Sequence, residues 1–275
     1  MGSGRPPETG DTLPSESRRQ GGWDVRFEWG VEGLRHVGPG AAAVVVVDVL
    51  RFTTAVSVAV GRGAVVLPYV WTAGDAARAY AARHDAELAG LREDRGWSLS
   101  PTDLAAIAPG TRLVLPSPNG SALAFGAQDD APGAAVLAGC LRNATAVATV
   151  AGEEPGPVAV VAAGERWRGD LGPLRPAVED MLGAGAVVQA LVEGGHRKQD
   201  SLSPDARAAA AAFEAARDGG LVDWLTGSGS GRELAARGWS DDVLAAAELD
   251  AEVVAPVLDG PEFRGVTPGD AGHLR

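Results

Sequence analysis

Apolar residues along this chain fall into short runs, separated by stretches in which apolar and polar positions mix. The run at 41–49 is apolar except for one aspartate and is rich in valine, as expected of a central strand covered on both faces. Residues 23–29 alternate apolar and polar positions, which predicts a half-buried edge strand. Strand and helix patterns then follow each other in turn. This alternation predicts an α/β fold, a three-layer sandwich around a mostly parallel, mixed sheet.

The pattern places a helix-rich C-terminal third after this alternation. Up to residue 163, the predicted helices are 53–60, 73–83, 120–127 and 143–150, and the predicted strands are 64–68, 112–115, 135–138 and 158–163. Beyond it, we expect helices at 177–192, 204–216, 231–237 and 241–247, with a last strand at 252–257. The TGSGSG stretch at 226–231 is expected to form a turn.

The ends of the chain differ in composition from its middle. Residues 1–20 have almost nothing to bury and are predicted to be a disordered tail. Residues 21–260 show no internal repeat and no convincing boundary, which predicts one α/β domain, and 261–275 are expected to be a flexible C-terminal tail. The Ala/Gly-rich helices would pack equally well within or between subunits, so a homo-oligomer stays open.

Charge and composition exclude several classes of function. The formal charge of −12 argues against binding to nucleic acid or to an anionic membrane. Lys198 is the only lysine, which argues against Schiff-base and P-loop chemistry, and Cys140 is the only cysteine, so no intrachain disulfide can form. With neither a secretory pattern nor the ~18–20 apolar residues of a membrane span, we expect a cytoplasmic protein.

Polar side chains follow four of the predicted strands, where ligands collect in open α/β sheets. The helix amino termini at these points favour anions, and guanidinium groups suit phosphate or sulfonate. Aspartate and glutamate oxygens are ligands for Mg²⁺. The residues are Asp48, Arg51, Thr53 and Thr54 after the first strand, Ser117, Asn119, Gly120 and Ser121 after the second, Arg142 and Asn143 after the third, and Gly164, Glu179 and Asp180 after the fourth.

Each of these residues also has a purely structural explanation. Asp48, Asn119 and Asn143 could cap helices, and Glu179 with Asp180 would meet a helix dipole favourably without any metal. The arginines could form surface ion pairs. Recurrence of the pattern at consecutive strand ends favours the functional interpretation. Other phosphatase signatures fail, since Leu50 stands where a haloacid-dehalogenase type needs an acid and Ala146 where a cysteine phosphatase needs an arginine.

Five segments in order resemble the 2-phosphosulfolactate phosphatase family. They are VVVVDVLRFTTAVSVAVGRGA at 44–64, SPNGSALAF at 117–125, LAGCLRNATAVA at 137–148, AVEDMLGAGAVVQAL at 177–191 and SGSGRELAARGWSDDVLAAAELD at 228–250. The resemblance implies a Mg²⁺-dependent hydrolase of phosphoric monoesters. Its substrate would be a small anion, 2-phospho-3-sulfolactate, converted to 3-sulfolactate and phosphate in coenzyme M biosynthesis.

The resemblance also implies roles for individual residues, carried over position by position. Asp48 would bind the metal or attack phosphorus. We expect catalytic roles for Asp48, Arg51, Asn119 and Asn143, substrate contacts from Arg51, Thr53, Thr54, Gly120, Ser121 and Arg142, and Mg²⁺ ligands from Asp48, Glu179 and Asp180.

Two loops depart from the family pattern. Residues 88–104 carry Leu99 where the family has an asparagine, and residues 162–176 are longer and more charged than the usual loop. If these loops hold the organic part of the substrate, a different small phospho-hydroxy acid is the alternative. A second alternative is a degenerate relative that binds an anionic metabolite without hydrolysing it.

Overall fold

The computed structural model describes residues 18–70, 75–93, 96–170 and 172–269, with the backbone alone for 168–170. The strands are β1 (Val25–Trp29), β2 (Ala43–Val47), β3 (Val65–Tyr69), β4 (Glu87–Leu88), β5 (Arg112–Pro116), β6 (Ala135–Gly139), β7 (Val158–Ala162), β8 (Glu165–Asp170), β9 (Leu174–Arg175), β10 (Ala255–Asp259) and β11 (Glu262–Val266).

In the described part of the chain, helices alternate with strands up to β7, and the segment between β9 and β10 is mostly helical. The helices are α1 (Gly30–Val37), α2 (Phe52–Gly61), α3 (Asp75–Arg83), α4 (Pro101–Leu104), α5 (Gly120–Asp130), α6 (Ala144–Glu153), α7 (Val178–Glu193), α8 (Pro204–Gly219), α9 (Leu221–Gly227), α10 (Gly229–Ala236) and α11 (Ser240–Ala246). No helix among these residues combines the length and the apolar character that crossing a bilayer requires.

Nine strands form one sheet in the order β1-β7-β2-β6-β10-β11-β3-β5-β4, and β8 pairs only with β9. Strands β1, β7, β2 and β6 are mutually parallel, as are β3, β5 and β4. The hairpin β10–β11 joins these two groups through antiparallel pairings on both sides. The mixed, mostly parallel sheet confirms the predicted α/β three-layer architecture.

Strand β2 is buried along its whole length because helices cover both of its faces. Val45 and Val47 belong to the largest core cluster, which includes residues of α6 and α7. Val44 and Val46 point the other way, into a cluster with residues of α1 and α5. A strand between two apolar layers needs no polar face, which explains the unbroken valine run.

The C-terminal strand prediction was wrong in extent. The last strands are β10 and β11, and β11 lies near the centre of the sheet, where Phe263 pairs with Val66 of β3. Glu262–Val266 is therefore ordered structure and not part of a flexible tail. Its two apolar side chains, Phe263 and Val266, gave only a weak strand pattern in the sequence. The burial of this strand depends on partner strands that are distant in sequence.

The predicted turn at 226–231 and the predicted N-terminal tail also need correction. Only Ser228 separates α9 from α10, and its hydroxyl caps α10 by accepting a hydrogen bond from the Gly231 N–H at 2.9 Å. Residues 1–17 of the tail lie outside the described residues. Gln20 is docked, since its amide side chain exchanges hydrogen bonds of 2.7 and 3.0 Å with the backbone of Phe27 in β1.

Candidate active site

A cavity of about 330 Å³ lies beside the carboxyl end of β2. Its lining combines the loops after β2, β5 and β7, the loop before α4, and one face of α10. The lining residues are Asp48, Leu50, Arg51, Phe52, Leu99, Ser117, Pro118, Asn119, Glu165, Ser230, Glu233, Leu234 and Arg237. Of the residues that the sequence placed after the predicted strands, the structure brings Asp48, Arg51, Ser117 and Asn119 to this cavity.

Asp48 follows β2 directly and is 7% exposed. Its Oδ1 accepts a hydrogen bond from the Phe52 N–H at 3.2 Å, so it does cap α2. Its Oδ2 accepts one from the Gly120 N–H at 3.0 Å, at the amino terminus of α5. Asp48 therefore caps a helix and also lines the cavity, and the two interpretations of its sequence position are compatible.

Gly120 lies so close to Asp48 that no side chain fits there. A Cβ at this position would lie 2.9 Å from Asp48 Oδ2 and would overlap the ring of Phe52. The glycine thus allows α5 to approach β2 and to point an N–H group at the carboxylate. Its N–H group donates to Asp48, and Gly120 does not line the cavity, so the predicted substrate contact of Gly120 gains no support.

Burial raises the pKa of Asp48 to about 6. Hydrogen bonds from the Phe52 and Gly120 N–H groups oppose this rise, whereas the nearby charge of Glu179 adds to it. A carboxylate with this pKa is largely ionised at neutral pH while remaining poorly hydrated, which leaves it ready for a cationic ligand or an electrophile.

Glu179 and Asp180 open α7 next to Asp48. Asp180 Oδ1 accepts the Val49 N–H at 2.7 Å and Oδ2 accepts the Gly164 N–H at 2.8 Å, which fixes the β2 and β7 loops together. Burial, with the charges of Asp48 and Glu179, raises the pKa of Asp180 well above its usual range. Glu179 is equally buried, and its Oε2 has no hydrogen-bond partner among the described residues.

Glu165, at the start of β8, is a cavity residue that the sequence reasoning missed. The Asn119 side-chain amide donates a hydrogen bond of 3.3 Å to its Oε2. Burial raises the pKa of Glu165 to about 7, and the charges of Asp48 and Glu179 contribute to the rise. Its position in a loop that departs from the family pattern was the only sequence signal for it.

These carboxylates provide an incomplete donor set for a divalent cation. In the described part of the chain, no three His, Cys, Asp or Glu side chains are grouped as a metal cage. Asp48 and Asp180 both use their two oxygens for backbone N–H groups, but of the two only Asp48 lines the cavity. Mg²⁺, however, commonly takes one or two carboxylates and completes its shell with water and substrate phosphate. Asp48 fits that kind of site together with the nearby Glu179, whose Oε2 has no hydrogen-bond partner among the described residues.

The predicted hydroxyl ligands are used inside the protein. Thr53 exchanges hydrogen bonds with the backbone of Asp48 at 2.8 and 2.9 Å, and Thr54 donates to the Val49 carbonyl at 2.7 Å. Ser121 accepts a hydrogen bond from the Tyr69 N–H at 3.1 Å. The structure does not bring these three side chains to the cavity; they hold the loop that carries Asp48 and the start of α5.

Arg142 and Asn143 lie in a 3-10 turn after β6 and do not line the cavity. Arg142 pairs with Glu248 and Glu252. Asn143 accepts the Cys140 N–H at 2.9 Å and donates to the Ala138 carbonyl at 3.1 Å, so its amide closes the turn. The structural interpretation of both residues accounts for their contacts, and neither the predicted substrate contact of Arg142 nor the predicted catalytic role of Asn143 gains support.

The opposite wall of the cavity comes from α10 and the residues after it. Four side chains of α10 and its C-terminal end face the cavity with the spacing of one helical stripe, Ser230, Glu233, Leu234 and Arg237. The Ser230 hydroxyl is buried and has no hydrogen-bond partner among the described residues. The helical spacing of these four residues can be read from the sequence, but the sequence does not indicate which cavity they face.

Asp242, in α11, binds two arginines from the loops that follow β2 and β4. Arg51 and Arg92 both bind its Oδ2, at 2.7 and 2.6 Å. Its Oδ1 accepts hydrogen bonds from the hydroxyls of Ser100 and Thr102 at 2.6 and 2.8 Å. Asp242 was not predicted, because it meets Arg51 only across 191 residues of sequence.

The family model of 2-phosphosulpholactate phosphatase matches residues 34–261. The chain belongs to this family. It is a family of phosphoric monoester hydrolases, so the chain is such a hydrolase and its substrate class is phosphate esters. The match extends from α1 to the β10–β11 turn and includes both walls of the cavity. No curated protein matches the chain significantly.

Proposed function

We propose that this chain is a Mg²⁺-dependent phosphatase that hydrolyses 2-phospho-3-sulfolactate to 3-sulfolactate and phosphate. One observation carries the proposal. Asp48 lines the cavity with both oxygens fixed by backbone N–H groups, and it interacts with the nearby charge of the buried Glu179, whose Oε2 has no hydrogen-bond partner among the described residues. With this substrate, the enzyme would act in coenzyme M biosynthesis in the cytoplasm, as the resemblance implies.

The need for a cation follows from the charges. Asp48 interacts with Glu179, and Glu165 interacts with both. A phosphate ester brought to three poorly hydrated carboxylates would be repelled. Asp48 and Glu179 are the residues that would hold Mg²⁺, and the bound ion would neutralise charge and orient water. Asp180 would act as a positioning residue through the Val49 and Gly164 N–H groups.

The remaining residues hold the ester. Arg51 lines the cavity with its guanidinium fixed by Asp242, which suits a phosphate or sulfonate oxygen pair. Asn119 lines it beside Glu165 and directly precedes Gly120 in the sequence. Asp48 acts either as the cation ligand or as the nucleophile, and both roles use the position that Phe52 and Gly120 give it.

A second candidate has a specific observation in its favour. Both loops that depart from the family pattern reach the cavity, through Leu99 and Glu165. An apolar side chain in place of an asparagine would favour a less polar substituent than a sulfonate. The alternative is therefore a small phospho-hydroxy acid without sulfonate.

A panel of esters separates these candidates. Phosphate release is measured with Mg²⁺ from 2-phosphosulfolactate, from 2-phospholactate, which lacks only the sulfonate, and from p-nitrophenyl phosphate. The proposal expects the highest kcat/KM for 2-phosphosulfolactate and complete loss of activity with EDTA. A preference for 2-phospholactate would select the second candidate. No release from any ester would favour a degenerate anion-binding relative, and activity unchanged by EDTA would remove the Mg²⁺ assignment.

A further inference from the structure

Three arginines surround the half-buried indole of Trp239, in the segment between α10 and α11. The guanidinium carbons of Arg51, Arg237 and Arg92 lie 4.9, 5.4 and 5.6 Å from the centre of its ring. An aromatic face attracts each cation and holds the planar guanidinium in a preferred orientation. We call these four residues the Trp239 cluster.

The Trp239 cluster carries more positive charge than its surroundings neutralise. Asp242 is fully buried and is shared by Arg51 and Arg92, and Arg92 also lies 3.9 Å from the carboxylate of Asp103, so two carboxylates accompany the three guanidinium groups. Among the described residues, Arg237 has no carboxylate oxygen within ion-pair distance. Glu233 precedes it by one helical turn and does not form that pair. In a chain with a net charge of −12, a local excess of cations indicates an anionic ligand.

The excess charge faces the same space as Asp48. Arg51 and Arg237 both line the cavity, whereas Arg92 does not. The cavity therefore has two chemically distinct sides, a carboxylate side at the ends of β2 and β7 and a cationic side at Trp239. A substrate whose only acidic group is the phosphate would need only the carboxylate side with its cation. A substrate with a further acidic group would also bind the cationic side.

We infer that Arg237, held on the face of Trp239 beside Arg51, is a specificity-determining residue that binds the second acidic group of the phosphate ester, a sulfonate or a carboxylate. The inference rests on the proposed phosphatase function. A guanidinium presents two parallel N–H donors, which match two oxygens of either group. Trp239 orients the fork before the ligand arrives, which reduces the entropy lost on binding.

The kinetic test compares Arg237→Gln with Arg232→Gln, an exposed arginine of α10 that does not line the cavity. For 2-phosphosulfolactate, we expect Arg237→Gln to raise KM by about 10- to 100-fold, as for loss of a hydrogen bond to a charged group, with little change in kcat. Hydrolysis of p-nitrophenyl phosphate, which has no second acid, stays unchanged. Arg232→Gln leaves all values unchanged, and Arg237→Lys recovers part of the loss.

Comparison of the three esters identifies the substrate group that Arg237 binds. A rise in KM confined to 2-phosphosulfolactate assigns Arg237 to the sulfonate. An equal rise for 2-phospholactate assigns it to the carboxylate that both esters share. An equal loss on all three esters, or no loss on any, overturns the inference.

Calorimetric binding of 3-sulfolactate separates this inference from the proposed function, because it needs no turnover. If the wild type hydrolyses no ester but binds 3-sulfolactate, and Arg237→Gln weakens that binding at least tenfold, the subsite stands and the proposed function fails. If the wild type hydrolyses 2-phosphosulfolactate and Arg237→Gln binds 3-sulfolactate as tightly as the wild type, the inference alone fails.

Discussion

The two sides of the cavity are built by different means. On the carboxylate side, the oxygens of Asp48 and Asp180 are held by backbone N–H groups at strand and helix ends. On the cationic side, Arg51 is held by the carboxylate of Asp242 and the ring of Trp239, both of which are side chains. The first arrangement depends on the course of the main chain, and the second depends on which side chains are present.

This difference indicates which side of the cavity a single substitution can alter while leaving the other side intact. A carboxylate held by backbone N–H groups depends little on the identity of most neighbouring side chains, so the carboxylate side suits a step common to every substrate. A side-chain network changes with single substitutions, so the cationic side suits the selection of one substrate.

The largest effect is expected from Asp48→Ala. The substitution removes the carboxylate from the cavity, so we expect kcat/KM to fall by at least about 10³-fold, as when an essential catalytic group is deleted. Phosphate release measures the loss, and circular dichroism checks that the fold remains. Activity within tenfold of the wild type would show that the carboxylate side is not the reaction centre.

Asp242→Asn is expected to have the largest effect on stability. Arg51 and Arg92 would lose their shared counterion in a buried position, which destabilises a protein by about 3–5 kcal/mol. Urea unfolding measures the free energy, and Asp241→Asn, at the exposed neighbouring position, is the matched control. A loss no greater than that of the control would mean that the side-chain network does not hold the cationic side together.

The pH dependence of stability should be specific to the carboxylate side. The pKa of Asp48 rises from 3.8 to about 6 on folding, so the folded state binds the proton more tightly than the unfolded state. Asp48 therefore stabilises the fold least at high pH, and between about pH 4 and 6 the free energy of unfolding falls as pH rises. The change for this one group is of the order of 3 kcal/mol.

The comparison with Asp48→Ala isolates that contribution. The stability of the wild type minus that of the variant should decrease from pH 4 to pH 6 and then level off. Mg²⁺ should raise the stability of the wild type more at pH 7 than at pH 4, because the ionised carboxylates bind it. A difference that is constant over this range would contradict the raised pKa.

Gly120→Ala is expected to have the smallest effect of the four. The new Cβ would overlap Phe52 and press on Asp48 Oδ2, which costs about 1–3 kcal/mol for an overpacked site and displaces the N–H donor. Thermal unfolding and kcat/KM should both decrease. Gly227→Ala is the control, because a Cβ there meets no atom within 4 Å. Equal behaviour of the two variants would argue against a close contact between α5 and Asp48.

The same contrast explains how much the sequence could predict. Asp48, Arg51 and Asn119 were found because residues after buried strands reach the sheet edge whatever their partners are. Arg237 and Asp242 were missed, because the cavity that Arg237 lines and the arginines that Asp242 binds are formed by segments distant in sequence. The turn after β6 carried Arg142 and Asn143 away from the cavity, and local patterns do not report such a turn. The centrally placed β11 was missed for the same reason, since its partners are distant.

The central claim, that Asp48 and Glu179 form a cation-dependent phosphate site, is tested most directly by crystallography with Mn²⁺ and inorganic phosphate. Mn²⁺ substitutes for Mg²⁺ and is located by its anomalous signal. The account predicts one Mn²⁺ at about 2.1–2.2 Å from a carboxylate oxygen of Asp48, with Glu179 in its shell and phosphate on its open side. Phosphate bound without Mn²⁺ at these carboxylates, or Mn²⁺ bound only elsewhere, would contradict it.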